Sequence, residues 1–542
     1  MVFEVKYKDV LGRVGRLETK SGVVETPHLF PVINPAVQVV SPKDIYEKIG
    51  CNAVITNAYL IRKRFTEEGL SKSVHELLGF KGVIATDSGA YQLLKYGEID
   101  VDPLEIARFQ EEINTDIATI LDVPTGLEVN SKHAEWTVRE TLARADLTLA
   151  AARKRDMLWI GPVQGGTNLE LLSLSAKEMG RKPFAIYALG SPTQIMERYR
   201  FDVLVDMILT AKMNLPLDKP LHLFGAGHPF MFAMAVALGC DLFDSAAYAI
   251  YARQRRYLTE SGTLKLEETS YFPCLCPVCA HWKPSEVQKL TQAEMEKVLA
   301  EHNLYVCMEE VKRVKQAIVE GRLWELVELR ARSHPSMLRA LGTFKAYANF
   351  LEKHSPSTKK GGIFYFGHQG LSRPEVVRYR KRIIENYTPP RSARILLLLP
   401  QTAEKPYHRS SKLKGLLGNT VGKVGVHICF YAAPYGVVPI ELDDMYPLSQ
   451  TEAAFPPDLE TIRSTVEAVA DYVMKQKYGS VVLHVEDEPL GSSLEKRCRQ
   501  SCLKSGKKFS MSYSGTKPWS KEAAEKLEKT LRKASFKLKA KK

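Results

Sequence analysis

The sequence contains no apolar run long enough to cross a bilayer. The amino-terminal segment MVFEVKYKDVLGRVG lacks the basic stretch followed by an apolar one that marks a secretory signal. Cysteine is scarce, with nine in 542 residues, and three of the nine lie between 274 and 279. We therefore expect a cytoplasmic protein without a membrane partner, in which reduced cysteines bind a metal instead of forming disulfides.

Common cofactor and catalytic-metal motifs are also missing. The sequence has no P-loop and no dinucleotide fingerprint, and the GxG of FGAGHP indicates nothing by itself. The first apolar run has no His-x-His, and there is no two-metal set of carboxylates. These absences leave a metal-dependent barrel hydrolase only as a distant alternative.

Acidic residues are too few to balance the basic ones at one end of the chain. The net charge is +14, and residues 496–542 hold sixteen Lys and Arg against three Glu. A basic segment of this kind suits a polyanion such as RNA. A solvated or disordered tail is the alternative for the last twenty residues.

The first half of the chain does contain eight short apolar runs, separated by longer amphipathic stretches such as PLEIARFQEEINTD. Eight alternations of strand and helix are typical of a closed parallel barrel. We predict an α/β fold, a (β/α)8 TIM barrel with an inserted or appended zinc-binding module and an additional C-terminal α/β domain. The predicted strand segments are residues 27–34, 53–60, 82–89, 117–124, 158–165, 184–190, 221–227 and 241–248.

Most of these runs end on a polar, glycine or aromatic residue. The active site of a parallel barrel lies where its strands end. An isolated aspartate at a strand end is more often a loop cap than a catalyst, so the set as a whole carries the prediction. The residues expected to line one mouth are Asp87, Asp122, Gln164, Gly190, Phe224 and Asp244.

After the eighth predicted strand, the sequence patterns indicate helices, a linker and a second α/β module. Two helices are expected after the barrel, over about 284–301 and 309–332, and the run STKKGG at 357–362 is a plausible linker. Apolar runs from about Arg391 onward indicate a separate α/β module. The predicted domains are residues 1–330 for the barrel with its zinc module at about 270–330, 331–390 for a helical connection, 391–515 for the C-terminal α/β domain and 516–542 for the basic tail.

Three cysteines in one tight turn indicate a metal site. Cys274, Cys276 and Cys279 would give a tetrahedral Zn²⁺ three thiolates, and a fourth ligand is then needed. His302 follows a predicted helix and could close the site. His281 is nearer in sequence but is badly placed to turn back to the same ion. With four ligands no position stays open, so the zinc would be structural.

At this point six motifs together resemble one family. In chain order they are TDSGAYQ (86–92), LDVPTG (121–126), GPVQGG (161–166), HLFGAGHP (222–229), GCDLFDSAAYA (239–249) and CLCPVC (274–279) followed by a distant His. They resemble the tRNA-guanine transglycosylases over roughly residues 1–330. Residues 331–515 look like the extension of the archaeal branch, which exchanges guanine at position 15 of the tRNA D-loop for 7-cyano-7-deazaguanine, the precursor of archaeosine.

The resemblance implies a base exchange at C1′ by two displacements. Asp244 matches the family nucleophile, and Asp87 can protonate the leaving guanine and deprotonate the incoming base. The reverse assignment of the two carboxylates is the alternative. The resemblance also supports His302 as the fourth zinc ligand.

Further residues would read the base. Asp122 can accept from its N1–H and 2-amino groups, and Gln164 can donate to its 6-oxo group. The backbone amides of Gly190 and Ser191 would touch the base edge. Tyr91 and Phe224 lie where the family stacks the flipped base between two side chains.

The resemblance also predicts partners. Members are generally homodimers, and the archaeal branch commonly ends in a PUA-type RNA-binding domain, which we do not find here. A separate PUA-domain protein, or the basic tail, could supply that function. Two alternatives remain: a queuine-type transglycosylase acting on the anticodon wobble guanine, and a catalytically silent tRNA-binding paralogue.

Overall fold

The computed structural model describes residues 2–65, 71–90, 101–417, 425–486 and 490–539. The chain forms two compact units, residues 1–356 and 357–542. Each unit has its own buried apolar clusters. None of the helices in the described ranges combines the length and the apolar character that a bilayer crossing needs.

The first unit opens with an antiparallel meander that closes the amino end of a barrel. It consists of β1 (Phe3–Asp9), β2 (Gly12–Thr19) and β3 (Gly22–Thr26). Phe3, Leu17 and Val24 are buried in one cluster with residues from the starts of the barrel strands. A buried ion pair of 2.5 Å joins Arg13 of β2 to Asp241 before the last barrel strand. The mouth at the opposite end is therefore the open one.

Eight parallel strands form the barrel, in the sheet order β4-β11-β10-β9-β8-β7-β6-β5. A parallel bridge between Val32 and Ile55 joins the two outer strands, and the Ile33 N–H donates to the Ile55 carbonyl at 2.8 Å. The sheet is thus closed, and the predicted TIM barrel is confirmed. The strands are β4 (His28–Pro31), β5 (Ala53–Asn57), β6 (Val83–Asp87), β7 (Ile117–Thr119), β8 (Leu158–Val163), β9 (Ile186–Leu189), β10 (Leu221–Leu223) and β11 (Leu242–Ser245).

Helices surround the barrel and continue beyond it. Those of the first unit span Pro42–Glu47, Ala58–Arg64, Val74–Leu78, Pro103–Glu112, Ser131–Ala151, Leu169–Gly180, Thr193–Glu197, Phe201–Asn214, Pro229–Ala237, Ala247–Arg253, Pro277–His281, Pro284–Val287, Gln292–Glu320, Leu323–Ala331, Pro335–Thr343 and Ala348–His354. A short hairpin of β12 (Arg256–Leu258) and β13 (Thr263–Lys265) precedes the cysteine cluster.

One helix after the barrel differs from its prediction. Where helices over 284–301 and 309–332 were expected, a single helix runs from Gln292 to Glu320. Thr291 begins it with a capping box, and Gly321, at φ +75°, ends it in the left-handed conformation. The residues between 301 and 309 include no glycine or proline, so nothing interrupts the helix there.

The second unit is built on a five-stranded sheet in the order β17-β16-β15-β19-β20. All neighbours in it are parallel except β16 and β17. A separate parallel pair joins β14 to β18. The strands are β14 (Ile363–Tyr365), β15 (Ile395–Pro400), β16 (Val426–Ala432), β17 (Gly436–Pro439), β18 (Thr451–Ala453), β19 (Ser480–Glu486) and β20 (Lys508–Gly515), and the helices span Pro374–Glu385, Ser411–Leu417, Leu459–Lys475, Ser492–Lys504 and Lys521–Lys539.

The last helix belongs to the core of the second unit. Leu527 and Leu531 are fully buried in an apolar cluster with residues of β15 and β16. Lys529, Arg532 and Lys533 lie on its exposed face. The basic segment at 521–539 is therefore an amphipathic helix packed on the sheet, and not a solvated tail over that range.

Candidate active site at the barrel mouth

The predicted mouth residues all follow or complete barrel strands at their carboxyl ends. Asp87 is the last residue of β6, and Asp244 lies in β11. Asp122, Gln164, Gly190 and Phe224 come shortly after β7, β8, β9 and β10. Because the carboxyl ends of the eight strands meet at one rim, the structure brings these residues to the same face of the barrel.

Asp87 is a partly exposed carboxylate in an unfavourable electrostatic environment. Burial and the nearby charge of Asp122 raise the pKa of Asp87 to about 7, with a further contribution from Asp244. Backbone N–H groups of Ser88 and Gly89 oppose this shift. Asp87 can therefore both give and take a proton near neutral pH.

Asn57 at the end of β5 fixes the orientation of Asp87. Its Nδ2 donates to Asp87 Oδ2 at 2.9 Å, while its Oδ1 accepts from the Leu60 N–H, also at 2.9 Å, as the cap of helix Ala58–Arg64. The cap leaves only the NH₂ group of Asn57 to face the carboxylate. Asn57 was not singled out in the sequence; it lies inside the predicted segment 53–60, and only the structure ends strand β5 at this residue, beside the strand that carries Asp87.

Asp122 and Gln164 form a buried pair beside these carboxylates. Gln164 Nε2 donates to Asp122 Oδ2 at 2.5 Å, and Gln164 Oε1 accepts from Ser191 Oγ at 2.9 Å and from the Thr125 N–H at 3.1 Å. Burial raises the pKa of Asp122 to about 6, and the Gln164 hydrogen bond opposes the rise. The network fixes which end of the Gln164 amide faces Asp122.

Gly190 and Ser191 lie against this network in different ways. A Cβ at Gly190 would come within 2.2 Å of Gln164 Nε2, so only glycine fits there. The Gly190 N–H donates to the Val163 carbonyl at 2.9 Å, which differs from its expected use as a ligand donor, because the barrel ladder already occupies it. Ser191 has φ +57°, and its N–H has no acceptor among the described residues.

Asp244 is held on one of its two oxygens. His222 Nε2 donates to Asp244 Oδ1 at 2.9 Å, and the Gly225 N–H donates to the same oxygen at 3.0 Å. The Asp244 side chain is 16 % exposed, whereas the His222 side chain is fully buried. His222 was missed in the sequence, although it lies two residues before Phe224 within the predicted strand segment 221–227, a spacing that predicts the same face of a strand.

Phe224 is half-buried at the rim, with its ring 4.8 Å from that of His222. Its partial exposure leaves ring surface available to a planar ligand. Tyr91, the expected partner in stacking, lies outside the described residues.

The four predicted metal ligands are close together. The donor atoms of Cys274, Cys276, Cys279 and His302 all lie within 4.8 Å of one another, so they could hold a metal ion. His302 Nδ1 is 3.5 Å from Cys276 Sγ and 3.2 Å from Cys279 Sγ. His281 is not part of this group among the described residues.

Neighbouring groups orient the histidine of this cluster. His302 Nε2 lies 2.9 Å from the Leu258 carbonyl, to which it donates when Nδ1 faces the sulfurs. The Tyr257 ring stacks on the His302 ring at 3.7 Å, and the Tyr257 hydroxyl lies 3.2 Å from Cys279 Sγ. Residues of the hairpin strand β12 thus pack against the candidate metal ligands as well as preceding them.

Comparison with known proteins adds a separate line of evidence. A family model described as queuine tRNA-ribosyltransferase matches residues 9–336, and a domain of unknown function, DUF5591, matches residues 376–531. A tRNA-guanine(15) transglycosylase of Methanocaldococcus jannaschii is 43 % identical over 488 residues, covering 88 % of this chain and 72 % of that protein.

Two further relatives carry the same name. The tRNA-guanine(15) transglycosylase of Methanococcus maripaludis (strain C7) is 42 % identical over 89 % of this chain and 74 % of its own length. That of Methanosphaera stadtmanae is 40 % identical over 89 % of this chain and 72 % of its own length. Since the family model matches more than half of the chain and these relatives cover most of it, the chain belongs to the tRNA-guanine transglycosylase family, in the branch of the tRNA-guanine(15) transglycosylases.

Proposed function

We propose that this protein exchanges guanine at position 15 of the tRNA D-loop for 7-cyano-7-deazaguanine. The observation that carries the proposal is the pair of carboxylates at one barrel mouth, Asp87 and Asp244, which differ in their surroundings. The relatives' name supplies the tRNA, the guanine and its position, and the resemblance to the archaeal branch supplies the incoming base. A barrel mouth alone would not identify either one.

In the first displacement, Asp244 Oδ2 forms a bond to C1′ of the ribose as the bond from C1′ to the guanine nitrogen breaks. The electron pair of that bond stays on the guanine, and the proton on Asp87 neutralises it. The raised pKa of Asp87 supports this role, because a carboxyl group with a pKa of about 7 holds a proton in part of the molecules at neutral pH.

In the second displacement, the ring nitrogen of 7-cyano-7-deazaguanine attacks C1′ on the face that guanine left. The bond between C1′ and Asp244 breaks, its electron pair returns to the carboxylate, and Asp87 takes the proton of the incoming nitrogen. Two inversions at C1′ retain its configuration, as in glycosidases that use a carboxylate nucleophile.

The base would be recognised by the hydrogen-bonded pair of Asp122 and Gln164 at the barrel mouth. Asp122 offers a carboxylate to the N1–H and 2-amino groups, and Gln164 has one amide proton beyond the hydrogen bond to Asp122 for the 6-oxo group. The Ser191 N–H would donate a hydrogen bond to the substituent at C7 of the base. The absence of a side chain at Gly190 would leave room for the base beside Gln164. Phe224, with Tyr91, would stack on the base.

The cysteine and histidine cluster would bind one structural Zn²⁺. Three thiolates and an imidazole are a donor set that suits tetrahedral zinc, and they leave no position for substrate. The ion would hold the segment 274–279 to helix Gln292–Glu320. No step of the exchange passes through it.

The partners that we propose are tRNA, guanine and 7-cyano-7-deazaguanine, a second copy of this chain, and a separate PUA-domain protein. A cytoplasmic location fits the tRNA substrate and the free cysteines of the described residues.

A queuine-type enzyme is the second candidate, because the matching family model has that description. The purified protein is incubated with unmodified tRNA and radiolabelled guanine, and the labelled nucleotide is mapped after nuclease digestion. We expect label at position 15 and none with Asp244→Ala. Label at the wobble position would establish the queuine-type activity, and label in neither place would favour a silent paralogue.

A further inference from the structure

His222 is a fully buried histidine that touches the proposed nucleophile, and neither displacement uses it. We propose that His222 is a positioning residue, which turns Asp244 so that Oδ2 alone faces the ribose. This inference rests on the proposed function and adds to it an explanation of how one carboxylate oxygen is selected.

The selection follows from where the two hydrogen bonds fall. His222 Nε2 and the Gly225 N–H both donate to Oδ1 of Asp244, at 2.9 Å and 3.0 Å. Among the described residues no donor reaches Oδ2. The oxygen that accepts no hydrogen bond keeps its lone pairs available and is the better nucleophile, so the arrangement makes Oδ2 the attacking atom.

Packing prevents the His222 ring from turning away. The ring stacks on Phe30 of β4 at 5.9 Å with an interplanar angle of 26°, and Phe224 covers it from the mouth at 4.8 Å. The backbone of His222 is fixed in β10 by register with Ala188 of β9 and Leu242 of β11. The imidazole is therefore a rigid donor.

The second ring nitrogen indicates which tautomer is present. His222 Nδ1 is buried and has no hydrogen-bond partner among the described residues. A proton on Nδ1 would be a buried donor without an acceptor, which is more costly than an unpaired nitrogen lone pair. The ring thus carries its proton on Nε2, which faces the Asp244 oxygen that accepts it.

The same two donors act in both displacements. When Oδ2 bonds to C1′, Oδ1 becomes the carbonyl oxygen of the ester and still accepts from His222 and Gly225. When that ester breaks, negative charge returns to the carboxylate, and a hydrogen bond to a charged acceptor is stronger than one to a neutral acceptor. The His222 hydrogen bond therefore favours release of the ribosyl group, whereas in its capture His222 acts by orienting Oδ2.

The test compares three variants of the full chain with wild type in guanine exchange into tRNA. His222→Leu removes the donor and keeps the apolar volume. His222→Gln can place an amide N–H near the position of Nε2, and His222→Asn is one methylene too short to reach it. His28→Leu is the matched control, since His28 is also buried in the barrel but bonds to the Ala53 carbonyl and not to Asp244.

We expect His222→Leu to lower kcat roughly 10- to 100-fold, the size of effect that a misplaced reacting group produces. KM for tRNA and guanine should stay within about threefold, because only the reacting atom is affected. His222→Gln should recover roughly tenfold of the reduced kcat, and His222→Asn should not. His28→Leu should keep the wild-type kcat.

Equal kcat for His222→Leu and wild type would overturn the inference, as would His222→Asn matching His222→Gln. If His222→Leu fails to fold, the kcat values of His222→Gln and His222→Asn still test the inference: a higher kcat for His222→Gln supports it, and equal values overturn it. Detection of the covalent adduct of enzyme and tRNA on a denaturing gel distinguishes failure of this inference from failure of the proposed function. Wild type without an adduct, or Asp244→Ala with one, would refute the nucleophile itself.

Discussion

At the scale of single residues, the barrel mouth brings together acidic side chains whose negative charges repel one another. The pKa of Asp87 is raised to about 7 by burial first and then by Asp122. In the unfolded chain the same carboxyl group has an ordinary pKa near 3.8. Such a site is less stable than a neutral one, and catalytic sites commonly carry that penalty.

We expect Asp87→Asn to gain stability relative to wild type as pH rises. Between about pH 4 and pH 7 folded wild type holds a proton that the unfolded chain has released, so its free energy of unfolding falls through that window. In the Asp87→Asn variant the free energy of unfolding does not have this contribution to its pH dependence. Its melting temperature should exceed that of wild type by a few degrees at pH 8, on the order of 2–4 °C, and by less at pH 5. Asp218→Asn, at an exposed aspartate, serves as the control and should show no such trend.

A second residue-scale prediction concerns Gly190. Gly190→Ala should displace the Gln164 amide, because its Cβ would lie 2.2 Å from Nε2. We expect KM for the free base to rise roughly tenfold or more while KM for tRNA is unchanged. Gly342→Ala is the control, since a Cβ at Gly342 meets nothing within 4 Å. Equal base affinity in the two variants would contradict the role given to Gly190.

The mouth was predictable from residue types, but its hydrogen bonds were not. Asp87, Asp122, Gln164 and Asp244 were singled out because they end apolar runs. That Asn57 holds Asp87, and that the Gly190 N–H is already used by Val163, depends on the registers of neighbouring strands. A single sequence does not specify those registers.

At the scale of elements, the carboxy-terminal helix carries both a set of apolar residues and a set of basic residues, on different faces. Its leucines complete an apolar core, and its lysines face outward. Lys526 and Arg532 pair with Glu522 and Glu528 within the helix, at 2.6 Å and 2.7 Å. Lys529 and Lys533 are exposed cations for which no ion pair occurs among the described residues.

We expect the double variant Lys529→Gln with Lys533→Gln to bind tRNA more weakly. The slope of log affinity against log salt should decrease by about 0.9 for each phosphate that a lysine no longer neutralises, and so by up to about 2 in this variant. The control is Lys81→Gln with Lys177→Gln, two exposed lysines on the barrel unit. Deleting the helix is not a suitable test, because it would expose the core of the second unit. An unchanged slope would assign the helix a purely structural role.

At the scale of the whole molecule, the two units have separate apolar cores, so a local loss of structure in one need not spread to the other. The four candidate metal ligands all lie in the first unit. The cysteines lie in and just before the short helix Pro277–His281, and His302 lies in helix Gln292–Glu320, so an ion would join the two segments.

Treatment with a strong chelator should therefore increase amide hydrogen exchange around residues 257–320 and leave residues 425–486 unchanged. Binding of a structural metal contributes directly to folding free energy, which is the reason for the expected local loss of protection. His302→Ala should purify without stoichiometric zinc, whereas His281→Ala should retain it. Indifference of exchange to the chelator would show that the cluster is not a zinc site.

Local periodicity and covalent order were enough to specify the alternation of strands and helices, the cysteine spacing and the acidic residues at strand ends. Three other features became known only from the folded chain: which oxygen of Asp244 is held, the burial of His222 beside it, and the packing of the basic helix against a sheet. These features depend on contacts between residues far apart in the chain, and a one-dimensional pattern does not specify such distances.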